Sequence, residues 1–205
     1  EDFYTSMKYA FTYRDKIQFG LVGEKDPGEP FLQKNYPVGY DHYGLHLIIR
    51  ELGKLKTLAV GDYRLSFGQG LILNNDFMIS KSWGTNTIIR RTQGPKRHFS
   101  TAESGFFRGA AAVFQTGKIT VIPFYSNKRF DANLSRDGEI TSFKTDGYHR
   151  TPSEIEKKNN SREQVTGVNI NYRNEQLQLG VSGVYHAYSR MYCPVVREYN
   201  YYSLR

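Results

Sequence analysis

Eight segments of this chain alternate between apolar and polar residues with a period of two. They form four pairs, and a very short turn joins the two members of each pair. Because successive side chains of a β-strand point to opposite faces of the sheet, this pattern predicts four β-hairpins. The predicted strands are Lys8–Arg14, Ile17–Lys25, His42–Arg50, Leu55–Phe67, Phe106–Phe114, Ile119–Ser126, Gln164–Tyr172 and Gln176–Tyr188.

The connections between the hairpins are much longer than the turns within them. They occupy positions 26–41, 74–105 and 127–163. Outer-membrane barrels have short periplasmic turns and long external loops, whereas soluble sandwiches have loops of similar length at both ends. The sequence therefore predicts an all-β fold: an antiparallel up-and-down transmembrane β-barrel, or part of one, with about eight strands. Positions 74–105 and 127–163 would be long external loops.

One face of each predicted strand carries no charged residue. In the fourth strand this face consists of Ala59, Gly61, Tyr63, Leu65 and Phe67. We expect it to contact lipid, because Tyr and Phe recur at strand ends, as in the aromatic girdles of membrane barrels. The opposite, polar face would then line the lumen. The predicted lumen-lining residues are Glu24, His42, His46, Arg50, Asp62, Arg64, Arg108, Asn169, Asn171 and His186.

The alternation alone does not say which face is inside. A soluble barrel would show the same period with its apolar face enclosed. The pattern therefore leaves open a soluble β-barrel module that binds an apolar ligand. Pro123 interrupts one predicted strand, and since proline cannot donate to a ladder we expect a bulge or an edge strand there.

Composition fits one β-rich domain over residues 1–205. The chain has 39% apolar and 23% charged residues, and its 16 Tyr, 13 Phe and 19 Gly suit strands and tight turns. No apolar run approaches the roughly 20 residues of a spanning helix. A single cysteine, Cys193, excludes an internal disulfide. The net charge of +8 is compatible with nucleic acid, lipopolysaccharide phosphates or another anionic surface.

Four stretches of the chain resemble one family of proteins. They are GDYRLSFGQGLIL (61–73), GEKDPGEPF (23–31), FFRGAAA (106–112) and GYHRTPSEIEKKNN (147–160). They are similar to the barrel region of outer-membrane proteins from Bacteroidota that carry a helix-hairpin-helix domain. The resemblance covers nearly the whole chain and implies a bacterial outer-membrane location, but the helix-hairpin-helix domain itself has no counterpart here. The tail 189–205 has the length of a loop leading to a ninth strand, so we expect a fragment of a longer barrel.

The residues that could carry chemistry point to no reaction. His42 and His46 would lie about 13 Å apart on a strand at ~3.3 Å per residue, too far to share a metal ion. Gly68 and Gly70 lack the following helix of a phosphate loop. Ser, His and Asp are present without a nucleophile elbow. We therefore expect no catalytic residue, no metal and no cofactor.

The connection 74–105 is basic. Aromatic residues are interleaved with its cations, a mixture that suits single-stranded nucleic acid and suits lipopolysaccharide phosphates equally. Farther on, Thr151-Pro152-Ser153-Glu154 is a capping box that predicts a short helix over Pro152–Asn159. The predicted basic-loop residues are Lys81, Arg90, Arg91, Lys96 and Arg97.

Together these features favour a non-enzymatic outer-membrane barrel that acts as a channel, uptake component or scaffold. Membrane lipid and lipopolysaccharide are the expected partners, together with other outer-membrane subunits of a complex. A link to DNA uptake, with nucleic acid as partner, rests only on the resemblance and the net charge. Two alternatives stay open: the soluble binding module, and an outer-membrane enzyme that modifies lipid.

Overall fold

The computed structural model describes residues 3–32, 39–67, 72–74 and 93–194. Within them the chain is all-β apart from one short helix, as predicted, and each of the eight predicted strands is present. No helix in these segments has the length and hydropathy to cross a membrane. The elements are β1 (Thr5–Tyr13), β2 (Ile17–Lys25), β3 (His42–Leu52), β4 (Leu55–Phe67), β5 (Leu73–Asn74), β6 (Gln93–Arg97), β7 (Phe107–Thr116), β8 (Ile119–Leu134), β9 (Ile140–Lys144), α1 (Pro152–Lys157), β10 (Ser161–Arg173) and β11 (Gln178–Tyr188).

The long strands form one antiparallel up-and-down sheet in the order β1-β2-β3-β4-β7-β8-β10-β11. The short strands β5 and β6 pair with β4, and β9 pairs with β8. Among the described residues β1 pairs with β2 and β11 pairs with β10, which leaves these two strands as edges. The sheet is therefore open, which is consistent with part of a barrel.

The short turns lie together at one end of the sheet. Gly53 supplies the positive φ (+67°) that the tight turn between β3 and β4 requires. Backbone hydrogen bonds connect neighbouring hairpins at this end: Arg50 N–H donates to Lys16 O (2.7 Å), and Arg173 N–H donates to Lys118 O (2.9 Å). The long connections consequently occupy the opposite end.

The hydrophobic core packs side chains from the middle of the sheet against one another. The Tyr63 ring lies 5.8 Å from that of Phe107, and its hydroxyl donates to Tyr125 O at 2.8 Å. The core thus satisfies its buried phenol while it excludes water. Its members are Ile48, Ala59, Tyr63, Leu65, Phe67, Phe107, Ala111, Ile122, Phe124 and Val165.

A second apolar surface covers the outside of the sheet. Its large side chains are between 42% and 73% exposed, and they come from β1, β3, β8, β10 and β11 on the face that the sequence predicted. Partners across the ladder share this face, as Ile170 and Val181 do. We call this set the outer face: Tyr9, Phe11, Tyr13, Tyr43, Leu45, Ile119, Tyr125, Ile170, Leu179, Val181 and Tyr185.

The predicted sides of β4 and β7 are wrong. Tyr63, Leu65 and Phe67, expected to contact lipid, are 1–2% exposed and belong to the core. Phe107 and Ala111 of β7 are buried there too. The reason is that alternation fixes the period of a strand but not its buried side, and the middle strands pack their bulkier face inward.

Two exposed residues mark the outward side of these middle strands. Val60 is 38% exposed and Phe114 is 43% exposed, and neither carries charge. The exposed side of β4 and β7 is therefore also apolar, but the residues on it belong to the face that the sequence predicted to be polar.

The alternation of β4 breaks beside Gly61. Its φ is +93°, and the consecutive residues Asp62 and Tyr63 are both 1% exposed. A Cβ atom at position 61 would lie 2.1 Å from the backbone oxygen of Leu45. Only glycine allows β3 and β4 to approach this closely.

Two local predictions have clear outcomes. Helix α1 is present with the complete capping box, in which Thr151 Oγ1 accepts from Glu154 N–H, and it ends at Lys157, two residues earlier than predicted. The edge-strand option for Pro123 is wrong, because β8 pairs with both β7 and β10. Pro123 pairs with Val168 of β10, and the pairs with β7 fall on either side of it.

We predict that Gly61→Ala destabilises the fold by about 2 kcal/mol or more, because positive φ strains an L-residue and the new Cβ overlaps backbone. For a chain of this size that lowers Tm by roughly 4 °C or more. Thermal unfolding measures it. Gly183→Ala is the matched control, since nothing lies within 4 Å of a Cβ there. Equal Tm values for the two variants would contradict the prediction.

Candidate functional site

A cavity of about 1100 Å³ opens at the end of the sheet that carries the long connections. Its apolar wall includes Phe106, Phe107 and Tyr188. Its polar wall contains a set of ionisable residues from segments that are distant in sequence. The most buried of these side chains surround one histidine.

His149 is 1% exposed and lies between two carboxylates. Its Nδ1 is 2.5 Å from Asp41 Oδ2, and its Nε2 is 2.6 Å from Asp131 Oδ2. The backbone N–H of His149 donates to Glu29 Oε1 at 2.9 Å. Both ring nitrogens and the backbone of this residue are therefore fixed. We define the His149 cluster as Glu29, Asp41, Glu103, Asp131, His149 and Lys158.

The cluster joins all three long connections. Glu29 and Asp41 come from 26–41, Glu103 comes from the segment before β7, and His149 comes from the segment after β9. Asp131 lies in the part of β8 that extends beyond its pairing with β10. The contacts in this cluster therefore hold the connections against each other and against the sheet.

The end of α1 docks onto the same cluster. Lys158 Nζ is 2.5 Å from Asp41 Oδ1 and also donates to the backbone oxygen of Asp41. The next residue, Asn159, donates its N–H to Asp131 Oδ1 at 2.7 Å. The capping box that starts α1 thus has a structural consequence, because it sets where these two donors lie.

Burial and pairing shift the pKa values of the cluster. Burial disfavours the imidazolium of His149, but hydrogen bonds to Asp131 and Asp41 outweigh it and raise the pKa to about 9. Burial, and then repulsion from Asp41, raises the pKa of Glu103 to about 8. Burial tends to raise the pKa of Asp41, but hydrogen bonds to His149 and Lys158 outweigh burial, so the pKa of this carboxyl is lowered.

An ion pair continues the polar contacts into the sheet. Arg108 Nε lies 2.6 Å from Asp62 Oδ1, and its Nη2 lies 2.8 Å from Oδ2. Asp62 Oδ2 also accepts from the N–H of Leu45, and Arg108 donates to the backbone oxygen of Tyr43 at 2.7 Å. This bidentate pair links β3, β4 and β7 where β4 departs from β3.

A stack of rings and cations fills the space beside that pair. His98 lies parallel to Phe106 with 4.3 Å between ring centroids and accepts from Arg64 Nε at Nδ1. Lys128 Nζ lies 3.7 Å from the centre of the Phe106 ring and donates to the backbone oxygen of Glu103. The stack therefore connects the sheet to the His149 cluster.

The predicted lumen residues do not form one group. His42, Arg108 and His186 line the cavity. Asn169 and Asn171 instead bond to each other, and Asn169 donates to Ser182 Oγ at 2.7 Å. The buried members are Glu24, His42, His46, Asp62 and Asn169; Arg50, Arg64, Arg108 and Asn171 are half-buried, and His186 is exposed.

The predicted basic loop is only partly described. Lys96 and Arg97 are exposed on β6, where they pair with Arg64 and Tyr63 of β4. Lys81, Arg90 and Arg91 lie outside the described residues.

Sequence reasoning missed the His149 cluster entirely. Its members lie in connections that show no periodicity, and they meet only when the sheet folds. The sequence relates only two of them, since His149 precedes α1 closely and Lys158 follows it directly.

No family model, no curated protein and no solved structure matches this chain.

We predict that Arg108→Met lowers the free energy of unfolding by about 3 kcal/mol or more, because it leaves the carboxylate of Asp62 buried without its cation. Adding Asp62→Asn should recover part of that loss, so the double mutant costs less than the sum of the single changes. Denaturant unfolding of all three variants measures the coupling. Arg129→Met, at an exposed arginine of β8, is the control and should have little effect.

Proposed function

We propose that this chain forms part of the wall of a non-enzymatic β-barrel in the bacterial outer membrane, where it acts as an uptake component or scaffold. The observation that carries the proposal is the outer face. Its uncharged side chains are exposed on strands from one edge of the sheet to the other. Soluble monomers rarely expose a contiguous apolar surface of more than a few hundred Å².

The rows of the outer face extend across neighbouring strands. Tyr125 of β8 pairs with Thr166 of β10, which pairs with Tyr185 of β11. Ile170 and Val181 form a second row. Such apolar rows are compatible with contact with hydrocarbon. A charged residue in the same place at the bilayer midplane would destabilise the inserted barrel by roughly 2–4 kcal/mol.

The two ends of the sheet support an orientation across the membrane. Short turns that are hydrogen-bonded to one another would face the periplasm. The long connections, with α1 and the His149 cluster, would form the external side. Ionisable groups are concentrated at that end, where water is available.

The open edges favour membership of a larger barrel. All nine residues of β1 are exposed, and so are most of β11. Unpaired strand edges do not occur in the hydrocarbon region, so further strands must pair with β1 and β11. Those strands would come from additional chain or from other subunits.

The inner side of the sheet is filled with large side chains, which favours an uptake or scaffolding role over a wide pore. Tyr63, Phe67 and Phe124 fill the inner side of the central strands, and the cavity above them is bounded by the long connections. A link to DNA uptake has no support from the described residues beyond the exposed Lys96 and Arg97.

One observation favours a second candidate, a soluble β-barrel module that binds an apolar ligand. The core is apolar and consists of side chains from five strands, as it would in a soluble barrel. The outer face would then lie in water, which makes this candidate the weaker one.

We predict that Leu45→Arg disrupts membrane insertion, because it places a charge on the outer face of a central strand at a cost of roughly 2–4 kcal/mol in lipid. Membrane integration is measured by alkaline extraction, and folding by heat-modifiable mobility. Gln176→Arg, in the turn between β10 and β11, is the matched control and should insert normally. A soluble protein would tolerate arginine at the half-exposed Leu45, so unchanged folding and purification without detergent would reject the membrane proposal.

A further inference from the structure

Two arginines lie side by side on neighbouring strands, close to the long connections. Arg129 of β8 pairs directly with Arg162 of β10. Both side chains are exposed, and neither guanidinium makes a hydrogen bond or an ion pair within the described segments. Residues directly opposite each other in an antiparallel ladder have Cβ atoms about 4.5–5.5 Å apart, so two like charges at these positions repel. We call these two residues the arginine pair.

The arginine pair lies on the same side of the sheet as the outer face. Arg129 is four residues beyond Tyr125, and Arg162 is four residues before Thr166, with no register shift between the two strands. Because side chains alternate along a strand, residues four apart share a side. Lys128, next to Arg129 in the chain, is buried, as expected for the opposite side.

The position of the pair along β8 matches the edge of a membrane. Ile119, at the start of β8, is the outer-face residue of this strand nearest the short turns, and Arg129 follows it by ten residues. Ten steps of ~3.3 Å along a strand tilted by about 40° give a height of about 25 Å. The apolar band of outer-membrane barrels is about 25 Å tall. In the proposed orientation the pair therefore lies where hydrocarbon ends and the headgroups of the external leaflet begin.

The acidic residues closest to the pair in sequence are engaged elsewhere. Glu163 points to the inner side of the sheet, where its Oε1 lies 2.9 Å from His186 Nε2. Asp131 is buried, and its two oxygens contact His149 Nε2 and the N–H of Asn159. Neither carboxylate is available to neutralise the two guanidinium groups.

A third arginine increases the positive charge at this corner of the sheet. Ser189, just beyond β11, donates its N–H to Arg162 O at 2.9 Å and accepts from Arg162 N–H at Oγ. The next residue, Arg190, is exposed, and its guanidinium donates to the backbone oxygens of Asn160 and Gly138. These acceptors carry no net charge, so Arg190 remains a cation close to the pair.

The chemistry of the pair fits a phosphate group. A guanidinium presents a planar fork of N–H donors that matches phosphate oxygens, so two forks on adjacent strands can bind one phosphate between them. A bound anion would also relieve the repulsion between the two arginines. We propose that the arginine pair binds a phosphate group of a lipopolysaccharide-type lipid in the external leaflet. The inference rests on the proposed membrane location, because the lipid must lie against the outer face.

The apolar rows below the pair favour a lipid over a nucleic acid. A lipid with its phosphate at the pair would extend its acyl chains along the same side of the sheet, past Tyr125 and Tyr185. A nucleic acid would instead need cations that follow its backbone. The next ladder pair toward the short turns, Asn127 with Gln164, is neutral.

The first test compares two lipids on the wild-type chain in detergent. Native mass spectrometry should show saturable binding of lipid A that carries its phosphate groups, and binding at least tenfold weaker for dephosphorylated lipid A. Inorganic phosphate in millimolar excess should not displace the lipid. Equal affinity for the two lipids would overturn the proposal, and displacement by inorganic phosphate would overturn the assignment to a lipid.

Variants locate the site. Arg129→Gln and Arg162→Gln should each weaken lipid A binding about fivefold, and the double variant about 25-fold, which is the contribution expected of arginines at an anionic lipid surface. Arg173→Gln, at an exposed arginine near the other end of β10, is the matched control and should bind as the wild type does. Heat-modifiable mobility checks that each variant is folded.

Three results with these proteins would overturn the assignment. They are wild-type affinity in the double variant, an equal loss in Arg173→Gln, and displacement of lipid A by single-stranded DNA that depends on the arginine pair. The membrane proposal is tested separately by Leu45→Arg. If that change blocks insertion while the double variant binds lipid A normally, only the phosphate site is wrong, whereas a chain that purifies without detergent would reject both.

Discussion

The contact of His149 with Asp41 and Asp131 is the interaction on which the loop end of this molecule depends. It joins residues 108 and 18 positions apart in the chain, and it is buried. Three connections that have little regular structure of their own meet there. Without a cation between them, Asp41 and Asp131 would be like charges at close range in a dry site, and the connections would separate.

The sheet has apolar side chains on both of its sides, and this limits what can surround it. The inner side of the central strands packs Tyr63, Phe107 and Phe124 into a core, and the outer face exposes rows of Tyr, Leu, Ile and Val. A soluble sheet of this length would need a second layer to cover that face. Lipid provides such a cover without further protein, which is why the two faces together favour a membrane barrel.

The sequence could predict the eight strands and α1 because their signals are local. Two-residue periodicity, short turns and the Thr151 capping box each act over a few residues. The buried side of β4 could not be predicted, since it depends on which strands pack against Tyr63 and Leu65. The His149 cluster could not be predicted either, because no local pattern relates Asp41 to His149. The glycine at position 61 is informative only once Leu45 O is known to lie against it.

The polar contacts within the molecule form a continuous path from the sheet to the long connections. Asp62 of β4 binds Arg108 of β7, Lys128 of β8 packs on Phe106 and donates to Glu103, and Glu103 lies beside His42 of β3. Lys128 of β8 and His42 of β3 therefore both contact Glu103, in the segment before β7. Movement of these connections away from the sheet would leave several buried charges without partners, which is costly. The buried ion pairs Arg108–Asp62 and His149–Asp41 therefore restrain the sheet and the long connections at this end.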